Sequence, residues 1–318
     1  MCHKRINLKT ALIAAVLMLI AVASASAQKK QSDVSMSGRD VTIIVTAHPH
    51  NDRARAAAQK IQANDFSVRE EKRPQQIISV KTSNEAPPII AVLIQDDLVS
   101  RVSNELNGLR DFIRRLPEGS RVMTAYITAG SLQVAQDFTT DRESAAKSLR
   151  IVRSSQSSGP FNPYVEVLEA LRRFDSQPMG RRIILLVSDG LDASRGFHSA
   201  SPTQSIDLDR AIREAQRRGV AVFSFYSPSV GLTSVNRLAV NYGQGSLNRL
   251  ADETGGEAFF SGTDFVSFDP YIREFNELLG LQWLITYRSS TVGSGFRHIE
   301  VTTDADVHLH YPEGYSTR

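Results

Sequence analysis

The sequence predicts an α/β protein in which a mostly parallel central sheet carries helices on both faces. From residue 89 onward, short apolar runs alternate with amphipathic helical segments, and parallel strands require long crossovers of that kind. The runs IIAVLI (89–94) and IILLV (183–187) are apolar throughout, which is typical of strands covered on both faces. Small β segments are predicted to flank this unit.

The first 27 residues have the features of a secretory signal peptide. Three basic residues and no acid precede the uncharged stretch ALIAAVLMLIAVA, and the small residues ASA come directly before Gln28. The apolar stretch is short for a membrane span, although an uncleaved N-terminal anchor is the alternative interpretation. We therefore expect an exported protein, periplasmic, on the cell surface or secreted, with no membrane span after cleavage. The polar, Ser-rich segment 28–39 is predicted to be a flexible tether.

The charge of the mature chain argues against a nucleic-acid partner. The full chain has 37 Lys and Arg residues and 34 Asp and Glu residues, and the leader holds three of the basic ones, so the mature chain is formally neutral. A neutral chain lacks the positive field that attracts a phosphate backbone. Cys2 is the only cysteine and leaves with the leader, so neither disulfides nor thiol chemistry are expected.

Residues 40–86 are predicted to form a small β-rich prelude. DVTIIVTAH (40–48) alternates as a strand does, and DFSVREEKRPQQIISVKT (65–82) has the pattern of two short strands around a charged turn. The segment SNEAPP (83–88) ends this region, because consecutive prolines cannot continue a β ladder.

Residues 87–288 contain the predicted α/β unit, and residues 289–318 a C-terminal β segment. Apolar residues recur at helical spacing from Val102 to Leu116, and RVMTAYIT and LQVAQDF predict a hairpin. Thr140 or Asp141 is expected to cap the next helix. The later helices and strands are predicted from YVEVLEALRRF, RRIILLVSDG, DLDRAIREAQRRG, VAVFSFY, SLNRLADETGG, EAFFSG and FDPYIREFNELLG. GQGSL (243–247) is predicted to be a turn rather than a phosphate loop, since no lysine follows it.

Carboxylates follow two of the predicted core strands. Asp96 and Asp97 come after the first strand of the α/β unit, and Asp189 follows the run IILLV. Ligands of open α/β sheets bind beyond the carboxyl ends of the strands, so these acids are expected to lie close together. Carboxylate and hydroxyl oxygens are the ligands that Mg²⁺ and Ca²⁺ prefer.

This arrangement resembles the von Willebrand factor type A (VWA) domain, and in particular the secreted bacterial VWFA-related group. The resemblance covers roughly residues 89–287. It rests on the order of elements, on LLVSDGLD (185–192), where relatives have an S-D-G-x-D phrase, and on LNRLADETGGEAF (247–259), which is similar to their L-x-x-L-A-x-x-T-G-G segment. NDFSVREEKRPQQIISV (64–80) is similar to their prelude strand pair. The resemblance implies a Rossmann-like VWA fold, a metal-ion-dependent adhesion site and a role in binding proteins.

The first motif of that adhesion site is incomplete in this sequence. The family has D-x-S-x-S after the first strand. With Asp96 in the first position, the first Ser is lost and Ser100 takes the place of the second. With Gln95 in the first position, the leading carboxylate is lost and Asp97 stands at the first Ser. The sequence leaves both registers open.

The later parts of the site are also reduced. Relatives have G-G-T-x-L-Y-D-A-L, whereas SGPFNPYVEVLEAL (158–171) has no Thr. Weak binding of Mg²⁺ or Ca²⁺ is the most that such a degenerate set predicts. The alternative is that Asp96 and Asp97 cap the next helix, with Ser100 and Asp192 in similar capping roles. The candidate metal ligands are Asp96, Asp97, Ser100, Asp189 and Asp192.

Two pairs of histidines suggest a second kind of metal site. His48 and His50, and likewise His308 and His310, are spaced to place two imidazoles on one face of a strand. The mature chain offers no cysteine and no third ligand at a suitable spacing, so surface or satisfied histidines are predicted rather than a Zn²⁺ site.

Three functions remain after these observations. The leading hypothesis is a non-enzymatic adhesion module that binds a protein through the loops above Asp96 and Asp189 and through the polar insert 195–205. A metal-dependent hydrolase that uses Asp96, Asp97 and Asp189 is the second. The third is a structural scaffold whose metal site has decayed.

Overall fold

A computed structural model describes residues 38–260, 262–291 and 293–317 of the chain. The predicted signal peptide and residues 28–37 of the predicted tether lie outside the described residues. The described residues from Arg39 onward form one compact unit. Among the described residues, no helix is both long enough and apolar enough to cross a membrane.

The described residues form strands and helices whose bounds are as follows. The strands are β1 (Arg39–His48), β2 (Phe66–Glu70), β3 (Arg73–Pro74), β4 (Gln76–Lys81), β5 (Pro88–Gln95), β6 (Arg121–Thr128), β7 (Ser131–Thr139), β8 (Arg181–Ser188), β9 (Val220–Tyr226), β10 (Ala258–Phe259), β11 (Gln282–Ser289), β12 (Gly295–Thr303), β13 (His308–His310) and β14 (Gly314–Thr317). The helices are α1 (Asp52–Ala58), α2 (Val102–Arg115), α3 (Arg142–Lys147), α4 (Pro163–Arg173), α5 (Ile206–Arg218), α6 (Arg237–Thr254) and α7 (Asp269–Gly280).

Six of the strands form the central sheet, in the order β10-β9-β8-β5-β6-β7. Every neighbouring pair is parallel except β6 and β7, which form the predicted antiparallel hairpin. The chain moves outward from β5 to β6 and β7, and then returns to the other side of β5 with β8. The connections from β5 and β8 therefore diverge, and in a doubly wound sheet such a switch point is where ligands bind.

Helices cover both faces of this sheet, which explains why its strands are apolar throughout. Ile90 and Val92 of β5 pack in one core with α2, α3 and α7, whereas Ala91 and Leu93 pack in a second core with α4, α5 and α6. Successive residues of a strand point to opposite faces, so both sets must be apolar. The predicted fold class, an α/β fold with a mostly parallel sheet between helices, is confirmed.

The flanking β segments form two further sheets that share a core. One has the order β13-β1-β11-β4 and the other the order β14-β12-β2-β3. Their shared core includes Ile43, Phe66, Trp283 and Ile285. β2 and β4, predicted as two strands around one turn, belong to different sheets, because β2 pairs with β12 and β4 pairs with β11. The segments before and after the α/β unit therefore fold together.

Two local features differ from the sequence-based expectations. Helix α1 was not predicted, and its N-cap is Asn51, whose side chain accepts a hydrogen bond from Ala54 N. The predicted turn at 243–247 is wrong, because these residues lie inside α6. Gly243 is needed there for space, since a Cβ atom at this position would overlap the backbone carbonyl of Asp189. The cap of α3 is Asp141, one of the two predicted residues.

Candidate functional site

A cavity of about 370 Å³ lies at the carboxyl edge of the central sheet, beside the switch point between β5 and β8. Asp97, which follows β5, and Asp189, which follows β8, both line it. Most of the remaining wall comes from residues 159–161 and, in the loop after β9, from residues 229–232 and Val235, and the rest comes from Gln156, Leu191 and Ala193. A cavity of this size accommodates a small ligand or one long side chain.

Gln95, the last residue of β5, connects the two acids. The backbone N–H of Asp189 can only donate, and it lies 3.2 Å from Gln95 Oε1. Ser188 Oγ donates to the same oxygen at 2.5 Å. The amide nitrogen of Gln95 therefore faces Asp97 and donates to its Oδ1 at 2.7 Å. These contacts favour the motif register that begins at Gln95, with Asp97 at the position of the first Ser.

Asp97 is buried at the floor of the cavity, with a relative exposure of 6%. Burial and, after it, the nearby charge of Asp189 raise the pKa of Asp97 to about 7. Gly159 lies so close to this carboxyl that a Cβ atom on the glycine would overlap Oδ2. The loop that contains Gly159 therefore contributes only backbone at this point.

Asp189 is held by donors on both of its oxygens. Leu191 N donates to Oδ1 at 3.2 Å, and Thr233 Oγ1 donates to Oδ2 at 2.9 Å. Ser229 Oγ lies 3.0 Å from Thr233 Oγ1 and extends the network toward the cavity wall. Burial raises the pKa of Asp189 above its ordinary value, although hydrogen bonds from Ser229, Leu191 and Thr233 act in the opposite direction.

Asp96 points away from the cavity. It is fully buried, and its carboxylate accepts from Arg150 Nη1 at 2.7 Å and Nη2 at 3.0 Å. Arg153 adds its backbone N–H at 3.1 Å and a contact from Nε at 3.3 Å. Asp96 therefore holds residues 150–153, which follow α3, beside the end of β5.

The prediction that Asp96 and Asp97 cap the next helix is wrong. Helix α2 begins after Arg101 and has no side-chain cap. The peptide that follows β5 first pairs with the loop after β9, since Leu98 forms a β-bridge with Ser229. This pairing places several residues between the two acids and the start of the helix.

The two other predicted ligands lie outside the cavity wall. Ser100 is exposed in the turn before α2. Asp192 accepts from Ser194 N at 3.1 Å and from the hydroxyl of Ser205, which is itself the N-cap of α5. Asp192 therefore organises the insert 195–205. That insert packs on α6 through Phe197, whose ring centroid lies 5.7 Å from that of Tyr242.

The rim of the cavity is apolar and exposed. Phe161 is 77% exposed, Val235 is 84% exposed and Leu232 is 42% exposed, and all three line the cavity. Exposed apolar side chains that surround a polar floor are typical of binding surfaces. Two buried acids thus lie below a ring of apolar side chains.

The donor set of this cavity fits a divalent cation poorly. Gln95 contributes an N–H toward Asp97, where a cation requires an oxygen. Gly159 offers no side-chain oxygen, and both oxygens of Asp189 already accept hydrogen bonds. Mg²⁺ in particular demands near-ideal octahedral oxygen ligation.

Sequence reasoning missed Ser229 and Thr233. The segment SPSVGLTS (227–234) is polar and follows the strand β9, and that position was a signal that these hydroxyls belong to the same edge of the sheet. Its pairing with Leu98 could not be read from the sequence, because 130 residues separate the two.

No protein-family model and no curated protein matches the sequence. Among solved structures, an aerotolerance-related membrane protein from Bacteroides fragilis is similar, with 13% identity and a TM-score of 0.40 over 60% of this chain and 98% of that one. BatB from Bacteroides thetaiotaomicron has 16% identity and a TM-score of 0.42 over 60% and 98%. The SpRpn10 VWA domain has 11% identity and a TM-score of 0.38 over 61% and 92%.

The architecture of the chain itself agrees with the fold that the sequence resemblance implied. Its sheet has the strand order 3-2-1-4-5-6 of a Rossmann fold, with the third strand antiparallel. The phrase LLVSDGLD lies at the end of the fourth strand of this sheet, as expected. The chain has a VWA-like α/β fold.

Proposed function

We propose that this chain is an exported, non-enzymatic adhesion module that binds a protein partner at the cavity between Asp97 and Asp189, without a divalent metal. The observation that carries the proposal is the pairing of two buried acids with an exposed apolar rim. Apolar side chains that a partner would bury, together with a few polar anchors, have the composition of a protein-binding hot spot.

The chemistry of the floor favours a cationic side chain from the partner. Two carboxyl groups in a low-dielectric site repel each other when both are charged, and this repulsion contributes to the raised pKa of Asp97. A lysine or arginine side chain that enters the cavity takes the place of the bound proton, and its positive charge reduces the repulsion between the two carboxylates. The aliphatic part of such a side chain packs against Phe161, Leu232 and Val235.

The second candidate, a metal-dependent hydrolase, has less support. Asp96 is engaged by Arg150 and Arg153 and does not join the other two acids, so only one pair of carboxyl groups faces the cavity. No histidine, lysine or arginine is among the described residues that line it. A scaffold role leaves the exposed apolar rim without a purpose.

The test is capture of partners from the exported fraction of the source cell in the presence of EDTA. Wild type, Asp97→Asn and Phe161→Ser serve as baits, with Met179→Ser as the matched control, because Met179 is exposed and apolar but lies away from the cavity. We expect a partner that binds wild type and the control at least tenfold more tightly than the two cavity variants. Equal binding by all four baits, or strict dependence on Mg²⁺, contradicts the proposal.

A second measurement tests the charge of the bound group. In NMR titrations, n-butylguanidinium is expected to shift the resonances of Gly159 and Gly231, and butyrate is expected to leave them unchanged. A response to butyrate instead of the cation shows that the cavity accepts an acid, as the metal-dependent members of the family do. Asp97→Asn is expected to abolish the response to the cation.

A further inference from the structure

A second cluster of chemically active side chains lies away from this cavity, at the opposite edge of the central sheet. His48 ends β1, Glu257 directly precedes β10, and Glu274 lies on α7. His48 Nε2 is 3.2 Å from Glu257 Oε1 and 3.9 Å from Glu274 Oε1. One nitrogen and two carboxylate oxygens, all within 4.8 Å of one another, thus converge on one point.

The polar atoms of this cluster are not all satisfied by protein contacts. Glu257 Oε2 is a buried oxygen that lacks a hydrogen-bond partner among the described residues. An unpaired buried carboxylate oxygen is costly unless a cation or another donor binds it. A second cavity of about 370 Å³ is lined by His48 and Glu274, so two of the three converging side chains face open space.

A second imidazole lies beside the first. The ring of His310 is stacked on that of His48, with centroids 5.2 Å apart and an interplanar angle of 13°. His310 Nδ1 lies 3.3 Å from the carbonyl oxygen of Gly256, which can only accept, so Nδ1 is the donor in this contact. His310 is not one of the three converging groups, and its ring packs against the imidazole of His48.

We propose that His48, Glu257 and Glu274 bind a divalent transition-metal ion of the Zn²⁺ class, with an open fourth position. Imidazole nitrogen and carboxylate oxygen are both ligands of Zn²⁺, and three protein ligands with one open position are typical of its reactive sites. Ligand atoms of a tetrahedral zinc site lie about 3.3 Å apart. The observed separation of 3.2 Å fits that geometry, and the half-exposed Glu274 side chain closes the longer distance by a rotamer adjustment.

The bound ion connects two parts of the fold that are far apart in the sequence. β1 belongs to the flanking sheet β13-β1-β11-β4, whereas β10 and α7 belong to the central α/β unit. A metal bond between them stabilises the folded state alone, because the unfolded chain does not assemble the three ligands. This site is independent of the proposed protein-binding function.

The experiment is a titration of the untagged, EDTA-treated full chain with ZnCl₂, in competition with a chromophoric chelator. We expect one equivalent to bind to wild type, and binding to weaken at least tenfold in His48→Ala and in Glu257→Gln. His298→Ala is the matched control, because His298 also lies 3.9 Å from a carboxylate, that of Glu313, but these two belong to no cluster of three ligands among the described residues. Co²⁺ is expected to give visible absorption typical of a four-coordinate nitrogen and oxygen site in wild type and in His298→Ala, but not in His48→Ala.

Three outcomes overturn the proposal. They are the absence of binding to wild type, unchanged binding in both His48→Ala and Glu257→Gln, and loss of binding in His308→Ala but not in His48→Ala. Thermal unfolding without metal shows whether each variant is folded. The side chain of Glu274 is 50% exposed, so Glu274→Gln is expected to fold normally. This variant is nevertheless expected to bind zinc at least tenfold more weakly than wild type.

Discussion

Gln95 Nε2 donates a hydrogen bond to Asp97 Oδ1 at 2.7 Å, and the two side chains lie on the same side of the chain at the end of β5. Asp96, between them, points to the opposite side and meets Arg150. Because side chains alternate along an extended chain, only one of the adjacent acids can enter the cavity. In the metal-binding motif, a carboxylate occupies the position that the amide of Gln95 has here. This difference supports a metal-independent function.

The first prediction concerns the response to divalent metals. In isothermal titrations with MgCl₂ or CaCl₂, we expect no saturable binding heat from this cavity. Wild type, Asp97→Asn and Asp189→Asn should therefore give the same heats. The reason is that an N–H faces Asp97, and hydrogen bonds already occupy the oxygens of Asp189. Heat that disappears in both variants shows instead that a cation binds between these acids.

The second prediction concerns pH. The pKa of Asp97 is about 7 in the folded protein, above the value of about 4 for an unfolded aspartate, so the folded state binds this proton more tightly. Its contribution to the free energy of unfolding is therefore complete below pH 4 and is lost as the pH rises to 7. The loss amounts to at most about 4 kcal/mol, because a tenfold change in proton affinity corresponds to about 1.4 kcal/mol.

Urea unfolding of wild type and Asp97→Asn between pH 4 and pH 8 measures this effect. The stability of wild type relative to the variant is expected to fall across that interval and to become constant above it. A difference that does not change with pH contradicts the assignment of the proton to Asp97.

The third prediction concerns Asp96. Asp96→Asn is expected to lower the free energy of unfolding by about 2–3 kcal/mol, because it leaves the guanidinium groups of Arg150 and Arg153 without their buried counter-charge. Asp111→Asn removes an exposed partner of Arg114 and is expected to cost less than about 0.5 kcal/mol. Denaturant unfolding of both variants provides the comparison, and equal costs would show that Asp96 has no special role.

The fourth prediction concerns Gly159. Gly159→Ala is expected to displace the Asp97 carboxyl, to weaken partner binding and to destabilise the protein by about 1–3 kcal/mol, because the new Cβ overlaps that carboxyl. Gly180→Ala is the control, since its Cβ would lie at an ordinary 3.6 Å from Ile89 Cδ1. Thermal unfolding and the capture assay measure the two effects, and similar behaviour of both variants argues against the close contact.

The fifth prediction concerns the packing of α6 against the end of β8. Gly243→Ala is expected to cost about 1–3 kcal/mol, although alanine favours helices, because the backbone carbonyl of Asp189 cannot move away from a Cβ atom. Gly280→Ala adds a Cβ at another helical glycine where nothing lies within 4 Å, and it is expected to be neutral or stabilising. A stable Gly243→Ala variant contradicts the tight contact.

The sequence by itself determined the fold class and the edge of the sheet on which Asp97 and Asp189 meet. This information is local: runs such as 89–94 and 183–187 must be apolar on every residue because helices cover both faces, and acids at the ends of parallel strands share an edge. The hairpin of β6 and β7 and the cap at Asp141 were likewise predictable from short segments.

Only the tertiary structure decided which side chains meet. It placed Gln95 rather than Asp96 beside Asp97, drew Thr233 toward Asp189, and brought His48 to Glu257 and Glu274 across more than 200 residues. It also required glycine at position 243 of α6, because the backbone of Asp189 leaves no space there for a Cβ atom. Hydrophobic patterns are properties of neighbours along the chain, whereas contacts between distant polar groups depend on strand pairing and packing that no short segment encodes.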